Sequence, residues 1–169
     1  MRGKSWIFQI PVCAAFLSAI LTGSLFAAEP AQNSDSEGGY DAALARRVGA
    51  DERGMRSYVM VILKTGPKHM PEGADREAMF AGHFANIEKL AKVGKLVVAG
   101  PFEKDGSDWR GLFVFAVATI DEARKLVESD PVVRNGEMVP EFHEWYGTAA
   151  AMLLPEWHAR LLAPAATKP

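Results

Sequence analysis

Read as a helix, the stretch "MFAGHFANIEKL" at 79–90 stacks Phe80, Phe84 and Ile87 on one side, with Ala91 just beyond. His83 falls inside that same apolar stripe. An imidazole aimed at a core is either a histidine with a satisfied hydrogen bond or a base in a cleft, since its charge changes near neutral pH. Few other residues have types and spacing that suggest chemistry. The four histidines, at 69, 83, 143 and 158, lack ligand spacing, so no metal is expected. The stretches "AGPFEKDG" and "RVGADERG" lack the repeated glycines and the lysine that cradle phosphates. No nucleophilic serine motif occurs. The only cysteine, Cys13, sits in an N-terminal segment set apart below, so thiol catalysis and disulfides are excluded elsewhere. No cofactor is expected.

The elements that must position His83 are legible between residues 57 and 147. "SYVMVILK" (57–64) is β-branched and aromatic, and the turn-rich "TGPKHMPEG" follows it. A helix capped by Asp75 is expected to run to about Val93, with Gly94 as its stop. "KLVVAG" (95–100) reads as a short strand and "RGLFVFAVA" (110–118) as another. Thr119 and Glu122 form a capping box for a second helix, expected to end at Asp130-Pro131 because proline disfavours helical dihedrals in the residue before it. "MVPEFHEWYG" (138–147) is a last strand, and Pro140 places it at an edge. This βαββαβ order is that of an α+β, ferredoxin-like sandwich.

The strands "YVMVIL", "LVVA" and "LFVFAVA" are apolar on both alternating faces, whereas a sheet with helices on one side and water on the other alternates apolar with polar. A second copy of the sheet, giving a homodimer, is the simplest cover. The C-terminal tail (148–169), with "TAAAMLLPEWHARLL" at its start, is the alternative, and both together would also serve.

At the other end, Arg2 and Lys4 precede an uncharged apolar run that closes at Ala27-Ala28, the pattern of a secretory signal peptide over residues 1–28. The expected location is therefore secreted or periplasmic. An uncleaved anchor is the rival, and contact with a membrane is expected only in that case. Residues 29–56 read as a linker, polar in its first half, with a short helix in "YDAALARRVG" ended by Gly49. A chain of 169 residues with 49% hydrophobic and 24% charged residues fits one globular domain. A formal net charge of −2 argues against a nucleic-acid partner, which needs a basic face.

The runs "GHFANIEKLAKVGKLVVAGPFEKDG" and "ATIDEARKLVESDPVVRNG" resemble the YCII-related family of the dimeric α+β barrel superfamily. The resemblance spans about residues 57–147. It rests on a histidine midway along the first helix, the "GKLVVAGP" strand, and "DP" followed by a glycine closing the second helix. It implies a dimeric α+β barrel fold and His83 with Asp130 as an active-site pair. It also brings in relatives that dehydrochlorinate aromatic ring-cleavage intermediates.

Topology gives a separate check on that pair. In a split βαβ unit, the end of the first strand, the start of the first helix and the end of the second helix share one rim. That rim gathers His83, Asp130, Lys64, His69, Glu103 and Arg110. Asp130 would hold Nδ1–H of His83 and leave Nε2 as the base. Lys64, Glu103 and Arg110 are the candidate substrate-binding residues. The function expected is proton abstraction from a small organic molecule, of elimination or isomerisation type. The alternative is a non-catalytic small-molecule binding or structural domain.

Overall fold

The computed structural model describes residues 39–163, and those from Tyr40 onward belong to one compact unit. The expected signal segment, the start of the linker and residues 164–169 lie outside the described residues.

The sheet is built from β1 (Met55–Thr65), β2 (Leu96–Pro101), β3 (Trp109–Phe115) and β4 (Met138–Thr148), in the order β2-β3-β1-β4. Every pairing is antiparallel, with Val61 opposite Phe113 on one side and Phe142 on the other. Pro140 stands in an edge strand, where a missing N–H costs no ladder bond. Between the strands lie α2 (Ala74–Lys92) and, after β3, α3 (Ile120–Val127) and α4 (Pro131–Asn135). This is an α+β unit with the strand order of a ferredoxin-like sandwich.

Three local readings change in the structure. The helix α2 starts after Gly73 without a side-chain cap, and Asp75 lies in its first turn, where its charge suits the helix dipole. The second helix stops at Val127, and Asp130 opens a separate helix, α4: its carboxylate accepts from the Val132 N–H at 3.1 Å. Pro131, read as a stop, is the first residue of α4, where its missing donor is no loss. Finally, within the stretch read as a linker, Asp41 caps α1 (Ala42–Val48), which closes on the left-handed Gly49, and β1 already begins at Met55.

Strand parity sorts the core into two layers. Val59, Val61, Leu63, Phe113 and Phe115 pack against Met79 and Leu90 of α2, Ala123 and Val127 of α3, and Val132 of α4. Each of these Val, Leu, Met and Phe side chains, taken from water, contributes about 1.5–3 kcal/mol. On the opposite face Tyr58, Val97 and Val114 pack with Ala151 and Met152. These two belong to a 3-10 turn (Ala149–Leu153) that leads into α5 (Leu154–Leu161). The Tyr58 hydroxyl donates to the Thr148 carbonyl at 2.8 Å and ties the tail's first residue to the sheet. The tail thus covers part of the second apolar face. Val139 and Trp145, on the β4 side of that face, remain 40% and 38% exposed. Among the described residues no helix is long and apolar enough to cross a membrane.

Candidate functional site

The α2 helix carries Arg76, Phe80, His83, Phe84 and Ile87 at the spacing of one face, and all five line an open cavity of about 920 Å³. Leu63 and Phe113 form its sheet side, the β2–β3 connection brings Phe102 and Lys104, and the start of β3 brings Trp109 and Arg110. Phe84, expected in the core stripe, is 64% exposed, because the helix turns it to the mouth of the cavity. His83 itself is buried. Its ring stacks on Phe113 at 5.9 Å and meets the ring of Phe84 at 5.4 Å.

Asp130 is fully buried, and Nδ1 of His83 lies 2.9 Å from its Oδ1 and 2.8 Å from its Oδ2. An ionised carboxylate only accepts, so in the neutral imidazole this contact selects the tautomer that donates from Nδ1 and has its lone pair on Nε2. Nε2 makes no hydrogen bond within the described residues and stays accessible from the cavity. Asp130 is fixed in turn by the Val132 N–H and by the Asn86 amide at 3.4 Å, and Asn86 accepts from the Ser129 hydroxyl at 3.3 Å. Gly82 makes the approach of α4 to α2 possible: a Cβ there would meet Cγ of Pro131 at 3.0 Å. The absence of a side chain before His83 therefore lets Asp130-Pro131 come within reach.

The other candidates separate. Arg110 lines the cavity. Lys64 does not: it follows Leu63 in β1 and falls on the tail side of the sheet, held by Asp108 at 3.2 Å and Glu141 at 3.3 Å. Hydrogen bonds from Lys64 to Asp108 and then Glu141 raise its ammonium above the ordinary range. Glu103 is exposed and outside the cavity lining, while its neighbour Lys104 is part of it. His69, grouped at the same rim, does line the cavity.

A second buried acid escaped the sequence reading. Glu137, 1% exposed, accepts from the Arg76 guanidinium at 2.6 Å and the Met70 N–H at 2.8 Å, with His69 at 3.3 Å. Burial opposes its ionisation, but the Met70 N–H and Arg76 outweigh that and hold the carboxyl below the usual glutamate range. The loop carrying His69 and Glu72 to the cavity mouth is thereby fastened to β4. Gly66 completes the fastening, because a Cβ there would collide with the Gly136 carbonyl oxygen. The α2 spacing Arg76–Phe80 gave a signal for Arg76, whereas Glu137 in "RNGE" looked like any loop acid. Among the described residues no three His, Cys, Asp or Glu side chains gather as metal ligands would.

A family model described as YCII-related domain matches residues 57–145, more than half of the chain. Comparison with curated proteins gave no match. Among solved structures the chain is similar to 5-chloro-2-hydroxyhydroquinone dehydrochlorinase from Burkholderia phenoliruptrix AC1100, in complex with 2,5-dihydroxybenzoquinone. The identity is 22%, the TM-score 0.37, and the match covers 52% of this chain and 92% of that one.

Proposed function

The chain belongs to the YCII-related domain family, and on that premise we propose that it is an enzyme that abstracts a proton from a small organic molecule. One observation carries the reading: among the described residues Nε2 of His83 has no hydrogen-bond partner, while Asp130 meets Nδ1 and His83 lines the cavity. A base so oriented takes a C–H proton on Nε2, and the buried carboxylate stabilises the imidazolium that forms. The electron pair left on carbon then expels a leaving group in an elimination, or is reprotonated at a neighbouring atom in an isomerisation.

The reading includes assembly and location. A homodimer through the sheet would cover Val139 and Trp145, which the tail leaves exposed. Export rests on the charged start and apolar run of residues 1–28.

The test is turnover of small aromatic and lactone metabolites by the purified protein. Wild type should consume at least one of them, and His83→Ala should bind it but not convert it. Undiminished conversion by His83→Ala overturns the base assignment. Binding without conversion by wild type favours a carrier instead.

A further inference from the structure

We infer that the ligand of this cavity is a planar organic carboxylate, its negative group met by Arg110 and its flat body by the aromatic walls. The inference deepens the acid–base reading, and rests on it only for the claim that this ligand is also the substrate. The first observation is charge. Arg76, Lys104 and Arg110 line the cavity, and Glu72 is the one lining carboxylate among the described residues. Arg76 is already neutralised, by Glu137 at 2.6 Å and by Glu72 at 3.2 Å. Arg110 and Lys104 pair with no carboxylate among the described residues. The nearby acids of the same connection are engaged or turned away. Asp108 holds Lys64, Asp105 accepts from the Ser107 N–H, and Glu103 lies outside the lining. A cation left unpaired against apolar walls is the feature that recruits an anion, and a guanidinium meets a carboxylate through two parallel hydrogen bonds.

The second observation is shape. Phe102 of the β2–β3 connection and Trp109 at the start of β3 line the cavity with Arg110, their rings 5.2 Å apart, and Phe84 and Phe113 close on His83 across the cavity. Trp109 and Phe84 are 44% and 64% exposed, an amount of aromatic surface that a flat ligand would bury. A cavity near 920 Å³ has room for a two-ring molecule.

Calorimetric titration of the full chain with 2-naphthoate and its neutral isostere 2-naphthamide, at low salt, tests this. A charge-assisted hydrogen bond should make 2-naphthoate bind about tenfold more tightly than the amide. Arg110→Gln, which removes the charge and leaves a shorter polar side chain, should bring the two affinities together, and Arg110→Lys should restore part of the difference. Equal affinities in wild type, a preference that survives Arg110→Gln, or no binding of either probe at millimolar concentration overturns the inference. The ¹⁵N spectrum of His83 in the unliganded protein reports the acid–base reading separately. A protonated Nδ1 with no naphthoate preference sinks the ligand class alone. A naphthoate preference with Nδ1 unprotonated sinks the base alone.

Discussion

Both carboxylate oxygens of Asp130 face Nδ1 of His83, at 2.9 and 2.8 Å, across 47 residues of chain. Asp130 has two tasks there, because the same carboxylate accepts the Val132 N–H at the start of α4. Asparagine is nearly as good a helix cap as aspartate, so Asp130→Asn should keep α4 while removing the charge beside the imidazole. Once a substrate is known, turnover by the variant should fall by about 10²- to 10⁴-fold with little change in melting temperature. In ¹⁵N spectra His83 should change from Nδ1–H alone to a mixture of tautomers. An unchanged tautomer would show that Asp130 does not orient the ring.

Glu137 makes the fold sensitive to acid. Its carboxyl titrates below the ordinary value of 4.5 in the folded chain, so its contribution is complete above that pH and is lost as pH falls through the lowered value. Denaturant melts at pH 6 and pH 3.5 should show a loss of stability that is smaller in Glu137→Gln. At pH 6, Glu137→Ala should cost about 3 kcal/mol, the low end for breaking a buried pair, since Arg76 keeps Glu72 at 3.2 Å. Parallel pH profiles for wild type and Glu137→Gln would refute this.

Gly66 should tolerate no side chain. A methyl group there meets backbone, the Gly136 carbonyl, which cannot rotate away. Gly66→Ala should destabilise by about 2 kcal/mol, the usual cost of overpacking, in urea melts. The loop from Gly66 to Gly73 should then be cleaved faster by protease than in wild type.

In the proposed dimer the tail and a second copy would have separable roles over the second sheet face. Light scattering should give twice the mass of the chain. Truncation after Thr148 would uncover Tyr58, Val97 and Val114, and should cause aggregation at micromolar concentration. A monomeric mass for the full chain counts against the dimer, and a soluble, stable truncation counts against the tail as cover.

Export is checked by intact mass. Protein recovered from outside the cytoplasm should begin near Ala28 or Glu29. A membrane-bound product retaining residues 1–27 would favour the anchor.

By itself the sequence determined the βαββαβ order of the main elements, though not α4, together with the edge position of β4 and the two-sided apolar strands, because periodicity, capping residues and proline act over a few neighbours. It also put His83 on the apolar face of α2, a matter of helical spacing alone. Only the tertiary structure decided which face each strand residue takes. Lys64 and Leu63 are adjacent in sequence, yet pairing sends one to Glu141 and the other to the cavity. Asp130 reads locally as a helix stop, and its contact with His83 depends on how closely α4 packs at Gly82. The partner of Glu137 is 61 residues away in Arg76. Burial makes such pairings obligatory, since an unpaired buried charge is costly, but nothing short-range in the chain says which partner will meet it.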